Sequence, residues 1–474
     1  MVIRQAYAPQ NIRIQAARVL DEILLIVPRS LANAGNLQAE VQRRVFEVLS
    51  QQVILDSLPA PYPQTSTSVE LRRMGLETLH QILQAVGHTI VVGWEIIFRM
   101  LESVCRPLDT NDGTRTIQPS RSESMDSVIS SPVLGMKPRP APLQLGFGHP
   151  TEKCYSTLVK IAFQSLTLVC DSVSSLSAEH LRLCIGTLGQ FGRQTDTNIA
   201  LTAAASLLWS VSDVIQSKRQ NVDKEPQYSG LWMLLLLEVL GLCTDPRAEV
   251  RDGAIQTLFR TMQLYGATLS SETWDQCIWK ITFPLLVSLT SEIRKVENSD
   301  VSQNDQVIKQ AWDESKILAL TSLGSIFSDF LVSKIMLLDS YPKAWDVFVG
   351  HIVEAVRCDD RIVSPHALRC LEKGINTSIN AEGVLKMRVM ESLERAWEAI
   401  DLLGNIATEH ISREDAENSS QHQPLTQEAL VAYVDVIQSI RNTGRGIDGK
   451  EWSYPRLSRL MAILKGNDPR YPLF

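Results

Sequence analysis

The 474-residue chain is too long for one compact domain, is 44% hydrophobic, and carries a net charge of −7 with a pI of about 5.7. That acidic balance excludes the clustered basic face that nucleic acid demands, and it suits protein partners. No segment alternates as a strand would, so the length points to an all-α architecture whose core grows lengthwise.

The opening, "MVIRQAYAPQNIRIQAARVLDEIL", has no signal-peptide pattern and passes almost directly into an amphipathic helix, as a segment from the middle of a longer solenoid would. Within it Ile12, Arg13, Ala16 and Leu20 set an order: aliphatic, Arg, small, Leu. The order returns at Leu71, Arg72, Gly75 and Leu79, followed by Gly87 and then Trp94, which begins a second apolar helix with Ile97, Phe98 and Leu101. Steps of four place these residues on one helical face, where the small one admits a partner helix. Gly87 is expected to end the first helix at positive φ.

Residues 106–150 then turn dense in Pro, Ser, Gly and Asp and read as a disordered insertion. Ser120, Ser122, Ser124 and Ser131 in it are phosphate-acceptor candidates, with a passive loop as the plainer reading. Ile199, Ala203 and Leu207 repeat the helical spacing without Arg. The run Leu231–Cys243 is too short to span a bilayer, contains Glu238, and reads as a buried helix. Val250, Arg251, Gly253/Ala254, Leu258, Gly266 and Trp274 give the order in full again, with Ile278 and Trp279 in the second helix. Val363, Ser364, Ala367 and Leu371 carry it with Ser in place of Arg. Polar stretches at 297–306 and 412–423 separate helical blocks at 1–105, 151–296, 307–411 and 424–474, the last holding terminal helices or a cap.

Hairpins recurring at intervals of tens of residues, none able to bury its own apolar side, mark a HEAT/armadillo-type helical-repeat solenoid. The Trp residues Trp94, Trp209, Trp274, Trp279, Trp312, Trp345 and Trp397 all fall in apolar helical patterns and are read as core. The tail, Glu451–Phe474, carries Leu457, Leu460, Met461 and Leu464 beside Arg456, Arg459 and Lys465. Capping the last repeat, binding a partner helix and lying on anionic membrane all fit it, and capping is the reading taken.

Chemistry is hard to find. "GRGIDGK" at 444–450 matches the Gly-Lys frame of a phosphate-binding loop, but Glu451 stands where Ser or Thr should hold magnesium and an amphipathic helix precedes it. A flexible helix-ending turn is the expectation. His80, His88, His149, His180, His351, His366, His410 and His422 show no metal spacing, and Asp359-Asp360 and Glu391/Glu394/Glu398 are spaced as solvated faces or intrahelical ion pairs. Cys105, Cys154, Cys170, Cys184, Cys243, Cys277, Cys358 and Cys370 include no Cys-x-x-Cys and read as reduced, buried thiols of a cytosolic protein. No catalytic, cofactor-binding or metal-ligating residue is assigned, and no partner-binding position is legible.

"NIRIQAARVLDEIL", "GWEIIFRMLESV" and "EVRDGAIQTLFRTMQLYGATLSSETWDQCIWKITFPLL" resemble the C-terminal half of the MON-two (monensin-sensitivity) family of Golgi scaffolds. The likeness is strongest over about Asn11–Val104 and Asp245–Leu286. These proteins are similar to the large BIG- and GBF-type Arf guanine-nucleotide exchange factors but lack the catalytic Sec-seven domain, and "GWEIIF" is shared with the exchange factors. The resemblance implies a cytosolic, non-enzymatic scaffold recruited peripherally to trans-Golgi and endosomal membranes for endosome-to-Golgi transport. It implies a Dopey-family partner, with a phospholipid flippase and Arf-like GTPases associated, and it carries over no catalytic residue. The alternatives are a regulatory helical region of an Arf exchange factor and, from another class, an enzyme with a dispersed site involving Lys450.

Overall fold

The computed structural model describes residues 2–5, 7–30, 36–54, 66–105, 150–220, 226–297, 303–357, 362–409, 425–448 and 454–466, and among these there is no strand. The chain forms two compact units, Met1–Ser165 and Leu166–Phe474. Apart from Pro150, the 106–150 insertion with its four serines lies outside the described residues, as do 298–302 and 410–424.

In the first unit α1 (Gln10–Ser30) pairs with α2 (Asn36–Val53), and α3 (Ser66–Val86) with α4 (Trp94–Glu102). Helix α1 stacks on α3 and α2 on α4, so two layers build up by hairpins. The unit boundary falls within α5 (Pro150–Asp171). In the second unit the same alternation runs through α6 (Ala178–Gly192), α7 (Thr197–Leu201), α8 (Leu208–Gln220), α9 (Pro226–Leu242), α10 (Ala248–Tyr265), α11 (Ser271–Gln276) and α12 (Phe283–Glu297). It continues with α13 (Gln303–Phe330), α14 (Tyr341–Arg357), α15 (Val363–Ser378), α16 (Leu385–Glu409), α17 (Gln427–Asp448) and α18 (Tyr454–Gly466). One layer is α10, α13, α15 and α17 side by side, with α7 and α8 against α10; the other includes α6 on α9 and α14 on α16, with α18 on α16.

Within each unit the copies of the sequence order share a layer, on α1 and α3 in the first unit and on α7, α10 and α15 in the second. Val250, Ala254 and Leu258, and Val363, Ala367 and Leu371, are fully buried, as are Leu71 and Leu79. The small position is small for the expected reason: a Cβ on Gly75 would stand 2.8 Å from Val53 Cγ2 of α2, and one on Gly253 2.8 Å from Leu201 Cδ1 of α7. The first copy is displaced, because in α1 the inward residues are Ala17, Asp21 and Leu24 while Ile12 is exposed. Arg13 still points inward, donating from Nε to Ile3 O at 2.9 Å.

The arginines of the full copies are buried clips. Arg72 donates from Nε to Val53 O (3.1 Å) and from Nη2 to Ser103 O (2.8 Å), tying α3 to the ends of α2 and α4. Arg251 donates to Asp245 O (2.9 Å), Ala311 O (3.0 Å) and Ser315 Oγ (2.7 Å), and its guanidinium lies 3.8 Å from the Trp312 ring centre. Two equivalents escape a search for Arg. Lys316 in α13, ahead of Ala319 and Leu323, is buried. Tyr433 in α17 is buried too and donates to Ile400 O at 2.9 Å.

The turn after these helices corrects one expectation. Gly87 and Gly266 open 3-10 turns, Gly87–Thr89 and Gly266–Thr268, but neither has positive φ, and Gly266 is right-handed helical at φ −57. Gly266 is required instead for contact: a Cβ would lie 2.7 Å from Trp274 Cζ2 and 2.8 Å from Phe330 Cζ. Around Gly87 there is open space; the positive φ in that copy belongs to Gly93 (φ +92), against Phe46 and immediately before Trp94. Gly266→Ala is therefore expected to cost about 1–3 kcal/mol by overpacking, and Gly87→Ala to be neutral or slightly stabilising, measured as paired chemical-denaturation curves.

The connector itself recurs more widely than its glycine. Turns at Gly87–Thr89, Val173–Ser175, Gly266–Thr268 and Ile335–Leu337 are each followed by an extended buried residue: Ile90, Leu176, Leu269 and Leu338. Ser177 and Ser270 then cap α6 and α11 through their hydroxyls. Cations tie three of these connectors down: Lys218 donates to Leu176 O, Lys334 to Leu269 O, and Arg388 to Leu338 O at 2.8 Å.

In the first unit a carboxyl is buried between helices. Asp21 accepts from Gln52 Nε2 at 3.3 Å, while Asp21 Oδ1 and Gln52 Oε1 have no hydrogen-bond partner. Burial is the main cause that raises the Asp21 pKa, with Glu77 adding to it and the Gln52 and Thr78 bonds opposing. A carboxyl whose folded pKa is raised favours folding below its unfolded value and loses that contribution as pH rises through the folded value. Asp21→Asn, whose amide can meet the orphan Gln52 oxygen, is expected to raise stability at pH 7 by about 1 kcal/mol and to flatten the acid side of the unit's stability–pH profile.

Candidate partner-binding groove

Among the described residues the features singled out in the sequence do not assemble into a reaction centre. Helix α17 runs through Gly444 and Gly446 to Asp448, so "GRGIDGK" is neither a phosphate-binding loop nor a helix-ending turn over those residues, and Lys450 lies outside the described residues. Ser165 Oγ lies 3.5 Å from His80 Nδ1, and His351 Nδ1 is 3.8 Å from Glu354. Burial lowers the His351 pKa, Lys316 adds to this, and Glu354 opposes it. Among the described residues no three His, Cys, Asp or Glu gather as metal ligands. Cys105, Cys170, Cys184, Cys243, Cys277 and Cys370 are free thiols. Burial pushes Cys370 up to about 12 and, with Glu102, Cys105 to about 12, so neither supplies thiolate at neutral pH.

Helix α9 is core, with Leu231, Trp232, Leu235, Leu236 and Val239 buried and Cys243 buried just after it, and Glu238 reaches Arg193 at 3.0 Å. Thr197–Lys218 is the one stretch among the described residues long and apolar enough to cross a membrane, and half of it is buried in the protein. Two tryptophans expected in the core are only half-buried. Trp209 stacks with Tyr265 at 6.1 Å beneath Arg260, and Trp279 lies under Lys343.

A surface groove lies between α14 and α16. Tyr341 and Trp345 of α14 are buried beneath it: the Tyr341 hydroxyl is 2.9 Å from Ser392 Oγ, and Trp345 Nε1 donates to Ser392 O at 3.0 Å. Burial raises the Tyr341 pKa well above the phenol range, with Ser392 and Arg388 opposing, so its proton stays for that bond. Above them the groove is walled by Pro342 and Asp346 on one side and Arg388, Glu391 and Arg395 on the other, enclosing about 170 Å³. Arg395 Nε lies 3.2 Å from Asp346 and its Nη1 3.0 Å from Glu398, whereas Arg388 is held by Met336 O and Leu338 O.

Steps of three and four place Met387, Arg388, Glu391 and Arg395 on one face of α16, and Met387 is exposed. The groove is smaller than a drug-sized pocket of about 300–1,000 Å³, offers no nucleophile with a base, and suits one or two side chains of a bound polypeptide. A second cavity beneath Trp345, lined by Trp274, Phe327 and Phe348, is apolar and holds about 20 Å³, the room of one water. Sequence reasoning missed the groove because α14 and α16 meet through residues 47 to 51 positions apart.

At the far end α18 packs on α16 through buried Leu460, with Arg456 2.5 Å from Glu394 and its guanidinium 5.2 Å from the Trp397 ring. Leu457 and Met461 remain exposed on it.

A family model for the C-terminal region of Mon2 protein matches residues 214–428, which include the groove. The chain is similar to a Drosophila melanogaster Mon2 homologue, 30% identical over 271 residues that make up 51% of this chain and 16% of that protein. The human Mon2 homologue is 28% identical over 256 residues, 46% of this chain and 15% of that protein. Brefeldin A-inhibited guanine nucleotide-exchange protein 3 of Arabidopsis thaliana is 27% identical over 117 residues, 23% of this chain and 7% of that protein. The matched stretch spans about a sixth of the length of these Mon2 relatives. Through residues 214–428 and its matches in animals, the chain is similar to the C-terminal region of the Mon2 family.

Proposed function

We propose that the chain is a non-enzymatic scaffold in Golgi and endosome membrane trafficking, peripheral on trans-Golgi and endosomal membranes. In this reading its repeat surface binds a Dopey-family protein, with a phospholipid flippase and Arf-like GTPases associated. The observation that carries it is the position of the α14–α16 groove, a sized and charged slot inside the stretch matched by the Mon2 C-terminal model. Curved repeat stacks offer such long contact surfaces.

The test is to immobilise the chain, pass cytosolic and detergent-solubilised membrane extracts over it, and identify what is retained by mass spectrometry. Dopey recovery is expected, and Asp346→Lys with Glu391→Lys, both at exposed positions, should reduce it about tenfold with the melting temperature unchanged. The 117-residue likeness to an exchange factor supports a second reading, a regulatory region of an Arf exchange factor. Recovery of Arf-family GTPases without Dopey would select that one.

A further inference from the structure

The charged side chains that wall the α14–α16 groove are unevenly paired. Arg395 is shared between two carboxylates, Asp346 at 3.2 Å and Glu398 at 3.0 Å. Arg388 donates from Nη1 to Met336 O (2.5 Å) and Leu338 O (2.8 Å), and its Nη2 lies 3.9 Å from Asp339. Glu391 is exposed and, among the described residues, has neither an ion pair nor a side-chain hydrogen bond. Both cations are therefore engaged while one carboxylate stands open, in a slot that Trp345 and Pro342 also line.

Apolar surface adjoins the same slot. The two carbonyls that Arg388 holds flank Leu337, which is 53% exposed, and Met387, next to Arg388 in the chain, is 71% exposed. Val384, three residues before Met387, is 83% exposed. Apolar side chains scattered singly over a surface need no explanation, but these share one end of a charged slot. Met387 and Glu391 are four residues apart on α16, about 6 Å along its axis.

Resting on the reading of this groove as a polypeptide site, we propose that its occupant is a partner segment presenting one basic and one apolar side chain at that spacing. The Lys or Arg head pairs with Glu391, its methylene stem lies along Trp345 and Pro342, and the apolar side chain covers Met387 and Leu337. An acidic occupant would meet Glu391 with both arginines already engaged. A wholly apolar one would bury that carboxylate unpaired. The open charge selects the kind of side chain, and the ledge beside it sets the spacing.

The experiment is saturation-transfer NMR on the whole chain with acetylated, amidated pentapeptides: Leu-Ala-Ala-Ala-Arg, Leu-Ala-Ala-Ala-Glu and Ala-Ala-Ala-Ala-Arg. The first is expected to bind about tenfold more tightly than either of the others, with transfer to its Leu methyls and Arg methylenes. Glu391→Lys should reverse the order of the Arg and Glu peptides. Met387→Ser should bring the first peptide down to the level of the third. Both positions are exposed, so melting temperatures should stay level. Equal binding of the Arg and Glu peptides, or a preference for Arg that survives Glu391→Lys, would overturn the proposal and leave the groove a polypeptide site of other specificity. No transfer to any peptide would overturn it too, and the retention assay with Asp346→Lys and Glu391→Lys then shows separately whether the groove reading falls with it.

Discussion

Trp274→Ala is expected to be the most damaging single change in the second unit, at about 3–5 kcal/mol. The side chain is fully buried, donates from Nε1 to Gly266 O at 2.9 Å, and packs its ring 5.1 Å from that of Phe330. One residue thus joins the turn after α10, the start of α11 and the end of α13, and its removal leaves a large void and takes away one of the two hydrogen bonds that Gly266 O accepts, the other coming from Leu269 N. Trp274→Phe separates the two, keeping most of the volume and losing the N–H, and should cost only about 1 kcal/mol beyond repacking. Chemical denaturation followed by circular dichroism reads both. A loss below about 1 kcal/mol for Trp274→Ala would mean that the hairpin does not depend on this lock.

Arg251→Met should cost about 3 kcal/mol. The guanidinium is buried, and burial lowers its pKa against the pull of Asp252, Asp245 and Glu249. Its desolvation is met by bonds to Asp245 O, Ala311 O and Ser315 Oγ and by the face of Trp312. Ser315 in turn donates to Asp252 Oδ1 at 2.5 Å, so the network passes from α10 to α13 and back. Met restores the stem but withdraws the donor from Asp245 O and Ser315 Oγ and one of the donors from Ala311 O. Arg251→Lys should fall between, because one ammonium on a longer lever cannot serve three acceptors in the directions of a planar fork. The same denaturation measurement checks the order wild type, Lys, Met.

The repeats were legible because the order Val250, Arg251, Ala254, Leu258 reports one helical face, and a face is local in sequence. Gly75 and Gly253 were legible as close-approach residues for the same reason. Gly266 was legible as important but not for its cause: helix-ending chemistry is local, whereas Trp274 and Phe330 converge on it from other elements. Tyr433 was missed because the clip position accepts a side chain other than Arg that reaches a neighbouring acceptor, so residue type does not mark it. The groove was illegible for a further reason: Tyr341 and Ser392 become neighbours only once α14 and α16 stack.

The clip position has a consequence for how such a chain can be rearranged. Arg72 addresses Val53 and Ser103, Arg251 addresses Asp245, Ala311 and Ser315, and Tyr433 addresses Ile400, each with its own reach and donor geometry. The hairpins therefore share a shape but not a connector code. Exchanging two of them would preserve the apolar face of each and still misaddress its polar plug. Serial order is written into the molecule at single buried positions, and a shuffled version would be expected to collapse into stacked helices without settling into one register.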